Sequence, residues 1–264
     1  MLDVLKEACV RVRNNVKDML GTKEATRAFG KGAGGDISRK IDLTAEEVAI
    51  NTFKEYGLRC NIIAEEAGEV KLGDEGYIIL DAIDGTANAM RGFPFACCSI
   101  AYSDTYRLDD VKHAAIIDLF NGNLYYASKG SGAYCNDKKI NVNSSISYIV
   151  GINLSGASNE IIDRVKPILN KSNHIRHLGA NALELCLLAE GLMDVYIDLR
   201  GKLRVTDMAA AHLIIKEAGG IIIDSNGSML DSSLSINDRI SFIAAANRDI
   251  LEEFANDLNI KIKI

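Results

Sequence analysis

The most constraining feature of this sequence is an apolar run that ends in two closely spaced carboxylates. The run YIIL at residues 77–80 is rich in residues that favour β-structure, and Asp81 follows it directly. Asp84, Gly85 and Thr86 come next, so that one tight turn holds two carboxylates, a flexible glycine and a hydroxyl. Carboxylates this close repel each other, and a buried unpaired charge is costly. A hard divalent cation relieves both effects, because Mg²⁺ takes oxygen ligands and keeps positions for water and phosphate.

A second strand with an acidic end is predicted upstream. The apolar residues 62–64 lead into Glu65 and Glu66, and Gly68 follows. A single Asp-rich turn is more often structural than functional, but α/β folds build sites where several strands end in polar residues. We therefore expect the carboxylates of the two strands to meet at one edge of a sheet.

Charge and composition narrow the class of protein. The 264 residues suffice for one large or two small domains, and the formal net charge of −6, without a Lys/Arg block, argues against nucleic acid as a partner. The first residues suggest an amphipathic helix rather than a signal peptide, and no apolar run approaches the ~20 residues that span a bilayer. The six cysteines include no Cys-x-x-Cys pair, so reduced core thiols are expected. These observations predict a cytoplasmic protein without a membrane partner.

The order of predicted elements divides the chain into two halves. Residues 1–141 read as helices followed by an antiparallel run of strands, with one helix over Leu2–Leu20 and another begun by a Thr44–Glu47 capping box. Residues 142–264 alternate strand and helix. We expect an N-terminal α+β half with most of the metal ligands, and a C-terminal α/β half with Asp207 and the residues that contact substrate.

A glycine-rich stretch lies between the first two predicted helices. Residues 30–35 match the dinucleotide-binding pattern G-x-G-x-x-G letter for letter. No apolar strand precedes them and no helix pattern opens after them, which excludes the usual context of that motif. A mobile glycine-rich flap is the better interpretation.

Two further aspartates, Asp42 and Asp207, each stand near a predicted helix start. Alone, each would be interpreted as a capping residue. Together with Glu65, Asp81 and Asp84 they make the chain resemble the inositol monophosphatase superfamily of Mg²⁺-dependent, lithium-sensitive phosphatases.

The resemblance covers nearly the whole chain. Residues 81–86 meet the signature D-P-[IL]-D-G-T with Ala82 in place of Pro, and residues 64–66 meet G-E-E with Ala64 in place of Gly. Residues 206–210 meet W-D-x-A-[AG] with Thr206 in place of Trp, ahead of the E-A-G-G ending at residues 217–220. The sequence is similar to archaeal-type enzymes that hydrolyse both myo-inositol monophosphate and fructose 1,6-bisphosphate. The implied fold is a layered α-β-α-β-α sandwich, of mixed α+β and α/β class, in a homodimer.

The resemblance also implies roles for individual residues. It assigns two or three Mg²⁺ ions to each site, with Mn²⁺ as a substitute, and metal-activated water as the in-line nucleophile. The implied metal ligands are Glu65, Asp81, the Ile83 carbonyl, Asp84 and Asp207. The implied catalytic residues are Thr86, hydrogen-bonded to Asp42 so as to orient that water, and Glu65.

Substrate contacts are implied for a separate set of residues. The backbone amides of Gly85 and Thr86 would hold phosphate oxygens. The other implied contacts are Asp84, Arg176, Asn181 and Arg200. Animal inositol phosphatases carry a Glu for inositol hydroxyls where this chain has the segment at residues 198–202, and an Arg there suits a second phosphate. A surface salt bridge is the alternative for Arg200.

Three other functions stay open at this point. Haloacid dehalogenase-like phosphatases use Asp-x-Asp-Gly-Thr with a nucleophilic Asp, but here an extra residue separates the aspartates. A 3′-phosphoadenosine 5′-phosphate phosphatase would share every metal ligand. A catalytically silent metal-binding module would bind metal without turnover, although Thr86 and Asp42 argue against it.

Overall fold

A computed structural model describes residues 1–35, 37–143 and 147–264. The helices are α1 Leu2–Val16, α2 Lys40–Glu55, α3 Thr86–Arg91, α4 Asn159–Lys171, α5 Asn181–Ala189, α6 Ala209–Glu217 and α7 Arg248–Asp257. The strands are β1 Ala28–Lys31, β2 Ile37–Arg39, β3 Asn61–Ala64, β4 Gly68–Lys71, β5 Tyr77–Asp84, β6 Cys97–Ser103, β7 Val111–Asp118, β8 Leu124–Ser128, β9 Ala133–Cys135, β10 Lys138–Ile140, β11 Ile149–Ile152, β12 His174–Arg176, β13 Val195–Arg204, β14 Ile221–Asp224 and β15 Arg239–Ala245.

These elements form five layers. Helices α1 and α2 cover one face of an 8-stranded sheet of order β10-β9-β8-β7-β6-β5-β3-β4. Helices α5 and α6 fill the space between that sheet and a 5-stranded sheet of order β12-β11-β13-β15-β14, and α4 and α7 cover its far face. The α-β-α-β-α sandwich is therefore confirmed.

The division of the chain at residues 141 and 142 stays a prediction. The strands of the larger sheet end at Ile140, and those of the smaller sheet begin at Ile149. The apolar cluster around α5 and α6, however, draws buried side chains from both stretches, including Ile79 and Phe242. The two halves thus share a core, and burial of apolar surface across it stabilises their contact.

The larger sheet departs from the expected antiparallel order at one pair of strands. Strand β4 folds back on β3 as an antiparallel neighbour at the sheet edge, and β5 then pairs with the other side of β3 in parallel. This crossover matters for function, because parallel neighbours end at the same edge of a sheet.

The ends of several elements also differ from the sequence-based prediction. Helix α1 stops at Val16, short of Leu20. The Thr44–Glu47 capping box was wrong: α2 begins at Lys40, and the capping box links Arg39 and Asp42. Glu46 instead accepts hydrogen bonds from the backbone N–H groups of Glu66 and Ala67, at 3.0 and 2.7 Å. Within the described residues, no helix is both long and apolar enough to cross a membrane.

Candidate metal and phosphate site

The register between β3 and β5 brings two carboxylates together. Ala64 lies opposite Leu80 in the parallel ladder, so Glu65 and Asp81 are the next residues along the two segments. Strand β5 continues beyond Asp81 as far as Asp84, with an irregularity in its pairing to β6 between these two aspartates. The predicted tight turn is therefore the distorted end of a strand, which aims both carboxylates away from the ladder.

The third carboxylate of the cluster comes from the other half of the chain. Asp207 lies between β13 and α6, is buried, and has an oxygen that accepts a hydrogen bond from the Thr206 hydroxyl at 3.0 Å. One carboxylate oxygen from each of Glu65, Asp81 and Asp207 lies within 4.8 Å of the others. Asp207 does not cap α6, whose N-cap residue is Met208.

Electrostatics within the cluster oppose full ionisation. Burial and the charge of Asp207 raise the pKa of Glu65 to about 8 and the pKa of Asp84 to about 8. Burial followed by the charge of Glu65 raises the pKa of Asp81 well above its usual value. Burial also raises the pKa of Asp207, against the opposing effect of Arg204. Carboxylates gathered in this way, with mutual repulsion and little water, fit a divalent metal that prefers oxygen ligands.

Thr86 lies at the edge of this cluster. Its Oγ is 3.0 Å from Asp42 Oδ1 and 3.1 Å from the carbonyl oxygen of Ile83, so one hydroxyl proton has two acceptors. Asp42 also accepts the backbone N–H of Arg39 through its other oxygen at 3.0 Å. Burial is the main reason that the pKa of Asp42 is raised to about 7. The structure therefore places the Thr86 hydroxyl within hydrogen-bonding distance of Asp42 and of the Ile83 carbonyl. Glu65, the third implied catalytic residue, lines the same cavity.

Asp84 is held across the boundary between the two halves. Its Oδ2 accepts the backbone N–H of Ala182, in the first turn of α5, at 2.6 Å. The thiol of Cys97 on β6 lies 3.8 Å from the same oxygen. A carboxylate at a helix N-terminus is favourable because the N–H groups there lack partners within the helix. The contact fixes one oxygen of Asp84 and leaves the other available for the site.

These side chains line a cavity of about 440 Å³. Its walls include the implied site residues Asp42, Glu65, Asp81, Ile83, Asp84, Gly85, Thr86 and Asp207. They also include Glu66, expected at this edge from the sequence, and Arg39 and Arg204, to which the sequence-based reasoning gave no role. Arg204 Nη1 is 2.8 Å from Glu65 Oε1, with both side chains largely buried. Its position three residues before Asp207, near the end of an apolar strand, was the available signal.

The glycine-rich stretch closes over Glu65 and Glu66. It joins β1 to β2, and the backbone N–H groups of Ala33 and Gly34 donate to the carbonyls of Glu66 and Glu65 at 3.0 and 2.8 Å. A Cβ on Gly32 would lie 2.0 Å from Glu66 Oε2, so any larger residue there would displace the Glu66 carboxylate. The predicted flap covers the acidic site, and its mobility stays a prediction.

The implied substrate residues of the C-terminal half lie apart from this cavity. Asn181 uses its side-chain oxygen to accept hydrogen bonds from Asn153 Nδ2 at 2.9 Å and from the Tyr196 hydroxyl at 2.8 Å. Arg176 is exposed and donates to the carbonyl of the preceding Ile175. Neither residue lines the cavity that holds the carboxylates.

Arg200 has partners within its own strand. Its Nε and Nη2 donate to the two oxygens of Asp198, at 2.9 and 2.6 Å, and its Nη1 donates to the carbonyl of Ser155 at 3.0 Å. Both side chains of this pair are buried, so the Arg200–Asp198 salt bridge is not a surface one. Arg200 also already uses three of its N–H donors on protein acceptors. Its role towards substrate stays a prediction.

Comparison with known proteins identifies the family. The sequence model of the inositol monophosphatase family matches residues 1–263, and the chain belongs to that family. This membership decides against the haloacid dehalogenase-like class, and it confirms the resemblance carried by the acidic motifs. Enzymes of this family are metal-dependent phosphatases, in keeping with the carboxylate cluster described above.

Individual relatives come from several archaea. A fructose-1,6-bisphosphatase/inositol-1-monophosphatase of Methanothermobacter thermautotrophicus is 32% identical over 264 aligned residues, covering 95% of this chain and 93% of that protein. A bifunctional NADP phosphatase/NAD kinase of Methanococcus maripaludis is 30% identical over 99% of this chain, which spans 50% of that protein. The crystal structure of an inositol monophosphatase-fructose 1,6 bisphosphatase has a TM-score of 0.86 at 28% identity, with 97% and 98% of the two chains covered.

Proposed function

We propose that this chain is a Mg²⁺-dependent phosphomonoesterase that hydrolyses myo-inositol monophosphate, fructose 1,6-bisphosphate or both. The observation that carries the proposal is the convergence of Glu65, Asp81 and Asp207 from three separate segments into one cluster beside Thr86. The dual phosphatase of Methanothermobacter thermautotrophicus, similar over almost the entire chain, supports this choice of substrates. We further propose that it works as a cytoplasmic homodimer.

The residues that would hold the metal are the clustered carboxylates Glu65, Asp81, Asp84 and Asp207 and the carbonyl of Ile83. Bound there, two or three Mg²⁺ ions, or Mn²⁺ in their place, would supply Lewis-acid stabilisation of the phosphoryl oxygens and a lower pKa for water. The chain's own contribution is to keep one oxygen each of Glu65, Asp81 and Asp207 within 4.8 Å of the others, with Asp84 and Ile83 lining the same cavity. The implied metal count and identity are parts of this proposal.

Thr86 and Asp42 would manage the proton of the attacking water. The Thr86 hydroxyl donates to Asp42, so its oxygen is left to accept a hydrogen bond from a water molecule. Asp42, whose pKa is raised to about 7, is suited to take up a proton near neutral pH. Gly85 and Thr86 line the same cavity, and their backbone N–H groups would position the phosphate.

The test is phosphate release from a panel of substrates with Mg²⁺. The panel holds inositol 1-phosphate, fructose 1,6-bisphosphate, 3′-phosphoadenosine 5′-phosphate and NADP. Turnover of either of the first two, lost with EDTA and restored by Mg²⁺ or Mn²⁺, is the expected result. Metal binding without turnover of any of the four would instead favour the catalytically silent module.

A second candidate is a nucleotide phosphatase that uses the same cluster. The similarity to the NADP phosphatase/NAD kinase of Methanococcus maripaludis covers almost all of this chain and favours NADP in particular. Turnover of NADP or of 3′-phosphoadenosine 5′-phosphate, with the two sugar phosphates untouched, would reassign the substrate while keeping the metal site.

A further inference from the structure

The cavity has a charge pattern that the proposed metal ligands do not explain. Among the described residues that line it, six are carboxylates and the cations are Arg39 and Arg204. Arg39 turns its guanidinium towards the carbonyl of Thr26, outside the carboxylate cluster. Arg204 instead places its guanidinium against Glu65, one of the proposed metal ligands. A fixed cation beside a divalent-metal ligand raises the free energy of metal binding through like-charge repulsion.

Contacts from two neighbouring segments fix the position of the Arg204 side chain. It lies within β13, whose pairing with β15 sets Arg204 opposite Arg239. The glycine stretch lies close to it, because a Cβ on Gly34 would be only 3.2 Å from Arg204 Nε. Its charge also lowers the pKa of Glu65, Asp81 and Asp207 against the upward effect of burial. The side chain therefore acts on three members of the cluster from one fixed place.

We propose that Arg204 is a phosphate-binding residue that Glu65 holds in the cavity until a divalent cation takes over the Glu65 oxygen. This inference rests on the proposed function, since it supposes a phosphorylated substrate in the same cavity. Arginine presents parallel N–H donors that match phosphate oxygens, and a dianionic phosphate entering among six carboxylates requires a cation to face it. Arg204 would thus contribute to substrate affinity, and it would compete with the first metal for Glu65.

The experiment measures binding rather than turnover. Mn²⁺ affinity is followed by electron paramagnetic resonance, and the affinity of the Mn²⁺-loaded protein for inorganic phosphate by calorimetry. Arg204→Gln removes the charge and keeps a polar side chain, whereas Arg204→Lys keeps the charge and loses the paired donors. Arg239→Gln is the matched control. It removes a positive charge on the neighbouring strand, where Arg239 donates to the carbonyl of Ile236 and reaches the cluster only through the smallest of the effects on the pKa of Asp207.

The expected pattern separates the variants. Arg204→Gln binds the first Mn²⁺ about tenfold more tightly and phosphate about tenfold more weakly, as expected for loss of one charge-assisted hydrogen bond. Arg204→Lys keeps the wild-type Mn²⁺ affinity and binds phosphate with an intermediate affinity. Arg239→Gln stays within about twofold of wild type in both measurements.

Two outcomes would overturn the inference. Unchanged or weaker Mn²⁺ binding in Arg204→Gln would show that the arginine does not compete for Glu65, and unchanged phosphate affinity would show that it does not contact the anion. Circular dichroism verifies that each variant is folded. If Arg204→Gln is not folded, the phosphate affinity of Arg204→Lys tests the contact with the anion, and unchanged affinity would overturn the inference. Because no turnover is needed, a failure of the proposed substrates would leave this result standing, and the reverse also holds.

Discussion

The ends of β5 and β7 look alike in sequence and differ completely in use. Both strands are apolar, belong to the same sheet and carry a buried aspartate towards the same edge: Asp81 lies three residues before the end of β5, and Asp118 is the last residue of β7. Asp118 accepts hydrogen bonds from the N–H of Phe120 at 2.8 Å and from both the backbone and the side chain of Asn121 at 3.0 and 2.8 Å. Asp81 has one such bond, from the N–H of Ile83, and otherwise faces Glu65 and Asp207.

The comparison shows that burial of a carboxylate does not by itself define a site. At the end of β7 the following turn folds back and satisfies the aspartate, as a structural side chain requires. Towards the end of β5 the carboxylates lie close to one another, which destabilises the fold unless a cation binds between them. The first arrangement serves the fold, and the second serves a ligand.

The largest expected effect comes from neutralising the end of β5. Asp84→Asn should lower kcat/KM by about a thousandfold or more, since it removes a charged ligand worth several kcal/mol of transition-state stabilisation. The melting temperature of the metal-free protein should hold or rise, because an amide cannot ionise in a place where burial and Asp207 oppose a charge, while its oxygen can still accept the N–H of Ala182. Steady-state kinetics and thermal unfolding of the same preparation measure both. A large loss of stability would mean that Asp84 serves the fold, as Asp118 does.

A second test uses a carboxylate that the chain itself neutralises. Arg200→Ala should destabilise the protein by about 3 kcal/mol or more, because Asp198 is left as a buried unpaired charge. Asp198→Asn combined with Arg200→Met should recover most of that loss. Denaturant unfolding reports the stabilities.

Activity of the folded fraction of Arg200→Ala tests its predicted role towards substrate. Turnover of fructose 1,6-bisphosphate should fall more than that of inositol 1-phosphate, because only the former has a second phosphate for this side chain. Equal losses on the two substrates would restrict Arg200 to its structural pair.

A smaller effect is expected at the end of β7. Asp118→Ala should cost about 1–3 kcal/mol of stability, because the N–H groups of Phe120 and Asn121 lose their acceptor. Metal affinity and kcat of the folded protein should match wild type. Impaired Mn²⁺ binding would show that the two strand ends are not as independent as their hydrogen bonds indicate.

The smallest expected effect is a pH dependence to which the carboxylates beside the cavity contribute. The raised pKa values of Glu65 and Asp84, about 8 each, mean that the native metal-free protein holds protons that the unfolded chain releases near pH 4. These groups therefore stabilise the metal-free fold at low pH, and that contribution is lost as the pH rises towards 8. The melting temperature gained on adding Mg²⁺ should be larger at pH 8.5 than at pH 6. Asp84→Asn should flatten the trend, and Asp118→Ala should not change it.

Sequence patterns predicted the strands and acidic motifs well, because apolar runs and strand-end carboxylates are local features. The role of Arg204 was not predicted, because its ion pair with Glu65 joins a strand of the C-terminal half to a residue of the N-terminal half. The pairing of Arg200 with Asp198 stayed open for a different reason. Residues two apart in an extended strand share one face of the sheet, but the sequence does not show which other groups lie on that face. The start of α2 was misplaced because Glu46 met a more distant partner, the turn at Glu66, than a capping motif supplies.

The hydrogen bond from α5 to Asp84 has a consequence for the order in which the protein assembles during synthesis. Asp84 and its neighbours leave the ribosome about a hundred residues before Ala182, and Asp207 follows later still. A nascent chain that has completed only the larger sheet holds an unfinished set of oxygens, to which a cation binds weakly. If these residues hold the metal as proposed, tight metal binding would come last in assembly, after α5 and α6 have packed between the two sheets.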